Sequence, residues 1–286
     1  MYDQDIRFFI MLFAFFSLGM GACIGSFLNV CIYRIPRNES VVRPRSHCPH
    51  CGKLSPWYLN IPVLSWLCLR GKCANCKGPI SFRYTLVEML TAMLFLAVFC
   101  KWALPSMVHM VPLAHPAMIP CYWLALSGLI VGTFVDFEHY IIPDSVTIGG
   151  MIAGLILSAL VPALHGERIW YWGLADSLIG EAVGFGLLFA IAEIGTRIFK
   201  KEAMGFGDVK LMGAIGAFFG WQATLFTLFV SSFLGSIVGI ALILFGGGKM
   251  QSRIPFGPYL AMAATIWLFW GDTLVELYLK LTHVGG

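Results

Sequence analysis

Residues 222–245, QATLFTLFVSSFLGSIVGIALILF, form an apolar stretch without a single charged side chain. A helix needs about 20 apolar residues to cross the hydrocarbon core of a bilayer, so this stretch predicts a membrane span. The rest of the 286-residue chain has the same character, with 58% hydrophobic and only 12% charged residues. This composition excludes a water-soluble globule. The 23 Phe and 9 Trp residues likewise exclude a disordered chain.

Eight apolar runs of this kind predict an all-α polytopic membrane protein. The boundary between the sixth and seventh runs is weak, because Gly220, Trp221 and Gln222 barely interrupt the apolar character, and seven spans remain possible. The first run is too long for the apolar segment of a secretory signal peptide, so we expect it to remain as a span. The predicted spans are residues 6–32, 84–104, 118–135, 145–164, 174–199, 209–221, 222–245 and 254–279.

The sequence between the first two predicted spans, residues 34–83, is strongly basic. It contains nine Lys or Arg residues and one acidic residue, Glu39, whereas the whole chain has a net charge of only +4. Cytoplasmic loops of membrane proteins are enriched in Lys and Arg, so we place this loop in the cytoplasm and do not expect nucleic acid to bind it. Eight spans then put fifteen of the 19 basic residues inside and four outside.

Four of the nine cysteines form two Cys-x-x-Cys pairs in this basic loop, CPHC at residues 48–51 and CANC at residues 73–76. Paired motifs of this spacing are typical of structural zinc, because four thiolates complete a tetrahedral shell and fasten a loop too small to build a core. His47 or His50 could replace a thiolate, and a redox dithiol is the rival interpretation, although it needs only one such pair. The predicted zinc ligands are Cys48, Cys51, Cys73 and Cys76.

Two aspartates lie at the predicted cytoplasmic ends of spans. Asp136 ends the third span in VDFEHYIIPD, and Asp208 begins the sixth span in GFGDVK. Each has an ordinary interpretation, which is an interfacial charge for Asp136 and a helix N-cap for Asp208. Both nevertheless lie on one membrane face at similar depth, where packed helices can bring them together. Two adjacent carboxylates share one proton and supply the base and the acid for peptide hydrolysis of the aspartic-protease type.

Pairs of glycines four residues apart recur in the predicted spans. Small residues at this spacing allow helices to approach closely in lipid, so these pairs predict helix packing rather than chemistry. They are Gly128 and Gly132, Gly150 and Gly154, Gly180 and Gly184, Gly216 and Gly220, and Gly235 and Gly239.

The sequence Gly205-Phe206-Gly207-Asp208 resembles the GxGD signature of intramembrane aspartic proteases. The wider context resembles the bacterial type IV prepilin peptidases over nearly the whole chain. It comprises GSFLNVCIYRIP at residues 25–36, DFEHYIIPD at residues 136–144 and GFGDVKLMGAIGAFFGW at residues 205–221. The resemblance implies that Asp136 and Asp208 are the catalytic pair. It also marks Asp144 as a family landmark at a helix start, and we expect Asp144 to cap the fourth span.

The resemblance implies an aspartic endopeptidase of the bacterial inner membrane whose active site faces the cytoplasm. The implied substrates are prepilin or pseudopilin precursors of type IV pili, type II secretion or competence systems, cleaved after a glycine that ends a short basic leader. The implied divisions are a first transmembrane helix (residues 1–33), a cytoplasmic tetracysteine zinc loop (residues 34–83) and a transmembrane peptidase core (residues 84–286).

Long members of this family carry a tetracysteine loop, which the segments 60–66, 70–73 and 79–88 match closely. These members are bifunctional and methylate the new amino terminus with S-adenosylmethionine. The loop match makes Gly71 and Glu88 candidates for binding this cofactor, although Glu88 can equally pair with Arg83. No Gly-rich nucleotide-binding motif of the Rossmann kind is present in the sequence.

Three other interpretations are open at this stage. A cation-coupled transporter with a structural zinc loop would also place acids in membrane helices, and Asp176, Glu181 and Glu193 of the fifth predicted span would then be essential. A non-enzymatic scaffold would need neither Asp136 nor Asp208. A peptidase without methyl transfer would release product lacking the added methyl group.

Overall fold

A computed structural model of the chain describes residues 2–48, 50–109, 115–201, 204–246 and 255–283. Regular structure in these ranges is helical, with two isolated β-bridges and no strand, which confirms the all-α fold class. A π-helical turn, Phe99–Ala103, joins the third and fourth α-helices. The α-helices are α1 (Tyr2–Arg34), α2 (Leu64–Cys68), α3 (Phe82–Val98), α4 (Leu104–His109), α5 (Met118–His139), α6 (Asp144–Leu160), α7 (Trp170–Phe199), α8 (Phe206–Gly246) and α9 (Gly257–His283).

Six helical segments among the described residues are long and apolar enough to cross a membrane, against the eight predicted spans. The chain is therefore a multi-pass membrane protein. Helix α6 is apolar but has only 17 residues, so it falls short of the usual spanning length. Helix α8 combines the predicted sixth and seventh spans, and its backbone is non-helical only at Gly220 (φ 83°, ψ 174°), within the weak boundary noted in the sequence. The predicted start of the last span, residue 254, lies outside the described residues.

The chain divides into two compact units, Met1–Val131 and Gly132–Gly286. In the first unit, α1 packs against α3 through glycines. A Cβ on Gly25 would lie 2.7 Å from the Glu88 Cα, and a Cβ on Gly21 would lie 2.7 Å from the Ala92 Cα. Backbone contact this close requires residues without side chains. The three functional divisions predicted from the sequence stay a prediction.

The second unit is built on close contact between α7 and α8. A Cβ on Gly180 would lie 2.2 Å from the Gly216 carbonyl oxygen, and a Cβ on Gly216 would lie 2.0 Å from the Gly180 carbonyl oxygen. Helix α6 also approaches α8, because a Cβ on Gly154 would lie 2.6 Å from the Ala217 Cβ. The structure thus confirms that these glycines serve helix packing.

Helix α8 is held from two sides just before its break at Gly220. The carbonyl oxygen of Ala217 accepts hydrogen bonds from the hydroxyl of Ser177 in α7 (2.7 Å) and the hydroxyl of Ser158 in α6 (3.3 Å). The Ser158 hydroxyl also lies 2.9 Å from the His165 Nε2. Hydroxyl groups that bond to a carbonyl of a neighbouring helix tie helices together inside a membrane.

Candidate functional site

Asp136 and Asp208 line one cavity of about 210 Å³ in the second unit. Asp136 lies in the last turn of α5, and Asp208 is the third residue of α8. Both side chains are buried, with exposed fractions of 5% and 8%, and their charges lie close enough to interact. Two helix ends that meet in this way bring together two carboxylates separated by about 70 positions in the sequence.

The carboxylate of Asp136 is oriented by the first residue of α9. Its Oδ2 accepts a hydrogen bond of 2.9 Å from the backbone N–H of Gly257. A Cβ on Gly257 would lie 2.8 Å from this same oxygen, so the close approach requires glycine. The positive end of the α9 dipole adds to the attraction for the carboxylate.

Asp208 has a different environment. The residue before α8 is Gly205, so Asp208 lies within the helix and the N-cap interpretation is wrong. Its Oδ1 is buried and has no hydrogen-bond partner among the described residues. A buried polar oxygen without a partner is costly in a structural role and suits a group that acts on a bound molecule. A Cβ on Gly205 would lie 3.3 Å from the other carboxylate oxygen, Oδ2.

The rest of the cavity wall combines apolar side chains with one cation. The ammonium group of Lys210 forms an ion pair with Asp144 and lies 5.3 Å from the ring centroid of Phe206. Asp144 begins α6 as predicted, but it does not cap this helix, because the N-cap residue is Pro143 and no side-chain cap bond is present there. Its carboxylate interacts with Lys210 instead. The remaining lining residues are Tyr140, Ile141, Ile142 and Gly207.

The four predicted zinc ligands come together in the first unit. The Sγ atoms of Cys48, Cys51, Cys73 and Cys76 all lie within 4.8 Å of one another, and none of these cysteines forms a disulfide. Each pair lies in a tight turn of the same design. The N–H of Cys48 bonds to the Lys53 carbonyl at 3.0 Å, and the N–H of Cys73 bonds to the Gly78 carbonyl at 2.8 Å.

The spacing of the thiols fits a tetrahedral metal ion. A Zn–S bond of about 2.3 Å places two thiolates of a tetrahedron about 3.8 Å apart. The Sγ atoms of Cys48 and Cys76 are 3.8 Å apart. His50 Nε2 lies 3.2 Å from the Pro79 carbonyl oxygen, and His47 Nδ1 lies 3.2 Å from the Arg45 carbonyl oxygen. One nitrogen of each ring thus has a backbone partner, and neither histidine belongs to the group of atoms close enough to hold one metal ion, which consists of the four thiols.

The electrostatics of the cluster favour a metal-bound thiolate. Backbone N–H groups of Cys76 and Asn75 lower the pKa of the Cys73 thiol to about 6. The backbone N–H of Gly78 acts in the same direction on Cys76, but burial and the neighbouring thiols raise the pKa of Cys76 to about 11. Protons must therefore leave the cluster when a metal ion binds to all four sulfurs.

The two residues proposed for the methyl donor have different environments. Gly71 has a positive φ of 68°, and a Cβ there would lie 2.9 Å from the Trp66 ring, so turn geometry explains this glycine. Glu88 lies in α3, where its Oε2 accepts a hydrogen bond of 2.7 Å from the Val63 N–H. Val63 itself has a φ of 63°, which is rare for a β-branched residue. Turn geometry accounts for the glycine at position 71, and Glu88 is a buried carboxylate; the predicted role of both residues in cofactor binding stays a prediction.

The acids that a transporter would use do not form a second cluster among the described residues. Glu193 forms an exposed ion pair with Arg197, with a nitrogen–oxygen distance of 2.8 Å. Asp176 interacts with His165, whereas Glu181 has one buried oxygen, Oε2, without a hydrogen-bond partner in the described ranges. These three side chains have separate environments along α7.

The fold and the site define a multi-pass helical membrane protein with two buried carboxylates at adjoining helix ends. Residues 20–102 match the Bacterial Peptidase A24 N-terminal domain, and residues 123–240 match the Type IV leader peptidase family. The chain belongs to the type IV leader peptidase family. No solved structure matches it significantly.

Several similar proteins carry the name prepilin leader peptidase/N-methyltransferase. The chain is 43% identical over 242 residues to the protein of Myxococcus xanthus, covering 84% of this chain and 66% of that protein. It is 37% identical over 281 residues to the protein of Aeromonas hydrophila, with 90% of each covered. It is 32% identical over 292 residues to the protein of Pseudomonas aeruginosa, with 94% of each covered.

Sequence reasoning missed Gly257, which contacts Asp136 across 121 positions of the chain. A Gly-Pro pair at residues 257–258, close to the predicted start of the last span, was the available signal. It also missed Asn29 and Thr85 of the first unit, whose buried side chains each contain an oxygen without a partner in the described ranges. A sequence pattern gives no sign of such isolated polar atoms.

Proposed function

We propose that this protein is a bifunctional membrane enzyme that removes the leader from prepilin-like precursors and then methylates the new amino terminus. The names of relatives similar over at least nine tenths of both chains support both activities. Membership of a peptidase family gives no support to the transporter or scaffold alternatives. The observation that carries the peptidase assignment is the single cavity lined by Asp136 and Asp208.

The two aspartates act as an acid–base pair. Like charges at close range cannot both persist in a buried site, so the pair holds one proton between two carboxylates. The ionised carboxylate takes a proton from a water molecule as that water attacks the scissile carbonyl. The protonated one first supports the carbonyl oxygen, and a proton then passes to the leaving amine as the C–N bond breaks. The Gly257 N–H keeps one Asp136 oxygen in a fixed orientation during these transfers.

The orientation of the protein follows from its charge distribution. The excess of Lys and Arg at residues 34–83 supports a cytoplasmic location for this loop. We propose that the ends of α5 and α8 that carry the aspartates also face the cytoplasm. In a bacterium this membrane is the inner membrane. A precursor whose hydrophobic helix stays in the bilayer presents its leader junction at the depth of the two carboxylates.

The methyl transfer requires a donor, and the metal site supports the loop that precedes α3. When bound, S-adenosylmethionine would supply an electrophilic methyl group to the free amine of the cleaved product. Zinc suits the four-thiol cluster, because its closed shell leaves no position open for substrate. The metal therefore has a structural role.

The direct test is cleavage of a synthetic prepilin by the purified full-length protein. We expect the wild type to release the leader and then to add about 14 Da to the product for each methyl group, which mass spectrometry detects. Asp136→Asn and Asp208→Asn should each abolish cleavage, whereas the control Glu193→Gln, which changes an acid of α7 outside the cavity, should retain it. Cleavage by either aspartate variant would refute the pair, and product without added mass would refute the methyltransferase.

A further inference from the structure

The first unit contains a larger cavity that peptide hydrolysis does not use. Its volume is about 400 Å³, within the range of small-molecule sites in proteins. The walls come from α1, from the cysteine loop and from the first turns of α3, and they include Cys48 and Cys73. The residues that give the cavity its chemical character are Asn29, Lys53, Trp66, Tyr84, Thr85 and Glu88.

Two buried polar atoms on this wall have no partner among the described residues. Asn29 is 3% exposed, and its Nδ2 donates to the carbonyl oxygens of Tyr84 (2.9 Å) and Gly25 (3.3 Å). These two acceptors fix the orientation of the amide, so the atom left without a partner is Oδ1. The hydroxyl of Thr85, which is 1% exposed, is likewise unpartnered.

A second buried threonine on α3, Thr91, provides a comparison for the hydrogen bonding of Thr85. Thr91 is 0% exposed, and its hydroxyl donates to the Val87 carbonyl oxygen at 2.7 Å, as buried threonines in helices usually do. Thr91 does not line the cavity, whereas Thr85 does. Buried polar atoms that lack partners are rare in folded proteins, so two on one cavity wall indicate a polar ligand.

The cavity also carries charge and aromatic surface. Glu88 adds a buried carboxylate, one oxygen of which is bonded to the Val63 N–H. Lys53 supplies an exposed ammonium group at the same cavity. The Trp66 indole N–H donates to the Ile80 carbonyl at 3.0 Å, which fixes the ring as part of the wall. A ligand that fits this wall has a cationic centre, several hydrogen-bond donors, an aromatic group and an anionic end.

We infer that this cavity binds S-adenosylmethionine, with Glu88 facing its positive charge and with Asn29 and Thr85 accepting its hydrogen bonds. The inference rests on the proposed function, which requires this methyl donor. The donor has a sulfonium and an ammonium group, hydroxyl and amino donors, an adenine ring and a carboxylate, so each wall group has a counterpart. Because Cys48 and Cys73 belong to the wall, the metal site keeps the cavity in shape.

The test is calorimetric titration of S-adenosylmethionine into the purified, zinc-loaded full-length protein without any peptide acceptor, so that no turnover occurs. Glu88→Gln should raise the Kd about tenfold or more, as expected when a hydrogen-bonded charge is removed. Thr85→Val should raise the Kd about threefold to tenfold, since it removes one hydroxyl partner. The matched control Thr91→Val, on the same helix and equally buried, should leave the Kd within about twofold of wild type.

Leader cleavage and zinc content are measured on the same samples, so that a failure of the donor site can be distinguished from a failure of the proposed function. Unchanged Kd values in both variants would overturn the site while leaving the bifunctional enzyme intact. A wild type that neither binds the donor nor methylates product would refute the methyltransferase and this inference together, whereas leader cleavage would still stand. If Glu88→Gln fails to fold, Thr85→Val and its Thr91→Val control decide the question alone. An equal loss of affinity in both threonine variants would also overturn the proposal.

Discussion

The carboxylate cavity and the cysteine loop differ in the interactions that stabilise them. The cavity is formed by the ends of long helices, and its two aspartates are held by packing within the second unit. The loop at residues 35–81 contains only short helical turns. Among the loop residues whose burial is described, the buried ones are Gly71 and the two cysteines Cys48 and Cys73. The loop has almost no core beyond its thiols. Loss of helix packing should therefore disrupt the carboxylate cavity, whereas loss of the metal ion should disrupt the cysteine loop.

The largest expected effect is a loss of leader cleavage without a loss of methylation. Asp208→Asn should lower leader cleavage by about 10³-fold or more, because it removes one member of the proposed acid–base pair. It should leave methylation unchanged when the acceptor is a synthetic peptide that already begins at the new amino terminus. Liquid chromatography with mass spectrometry measures both products. Loss of both activities would show that the two regions are not independent.

Removing the metal should produce the converse result. Cys76→Ser should release zinc, since three thiolates bind it more weakly than four, and should expose the backbone of residues 45–80 to hydrogen exchange. Methylation should then fall about tenfold or more, while cleavage falls much less. The control is Cys68→Ser, because Cys68 lies in the same loop, is exposed and is absent from the cluster. Equal exchange in the two variants would contradict a structural role for the metal.

A smaller effect on the carboxylate cavity should follow from Gly257→Ala. The new Cβ would lie 2.8 Å from the Asp136 Oδ2 and would displace that oxygen from the backbone N–H. We expect cleavage to fall about tenfold to a hundredfold, the usual cost of losing a catalytic orientation. Gly186→Ala, where a Cβ would meet nothing within 4 Å, is the control. A variant that cleaves at the wild-type rate would show that Gly257 does not position Asp136.

The packing of the second unit can be tested on one helix. Gly180→Ala should lower the free energy of unfolding by about 1–3 kcal/mol, because its Cβ would overlap the Gly216 carbonyl oxygen. Gly186→Ala, six positions further along α7, should be neutral or stabilising by up to about 1 kcal/mol. Thermal unfolding in detergent compares the two. The same sign for both variants would contradict the assignment of Gly180 to the α7–α8 contact.

The smallest expected effect concerns pH. Burial lowers the pKa of His165, and the nearby Asp176 only partly opposes this. The folded state therefore favours the neutral ring, so this contribution to stability is complete above the unfolded pKa of about 6.5 and is lost as the pH falls below it. The unfolding temperature should decrease between about pH 7.5 and 5.5, and His165→Gln should reduce the decrease. The exposed His115→Gln is the control, and an equal pH dependence in all three proteins would refute the role of His165.

The sequence predicted the helices well because membrane spans leave a strong compositional signal. The predicted runs 118–135 and 174–199 correspond to α5 (Met118–His139) and α7 (Trp170–Phe199). The structure also brings together the residues with local signatures, since Asp208 of GFGD shares a cavity with Asp136 and the thiols of the two Cys-x-x-Cys pairs form one cluster. Local signatures need no knowledge of which helices touch.

The residues that the sequence could not supply depend on partners distant in the chain. Gly257 matters because its N–H reaches Asp136, and Thr85 matters because its hydroxyl lacks the partner that Thr91 has. The expectation for Asp144 failed for a related reason. A cap is a local interaction, whereas the carboxylate of Asp144 forms an ion pair with Lys210, which lies 66 positions away in the sequence.

The break at Gly220 leaves a first segment of α8, residues 206–219, that is short for a bilayer. At about 1.5 Å per residue it extends about 21 Å, and the 17 residues of α6 extend about 26 Å, both below a hydrocarbon thickness of about 30 Å. Lipid accommodates short helices by becoming locally thinner. Water then has less hydrocarbon to cross beside these helices, so the buried carboxylate of Asp208 need not lie far from the aqueous phase.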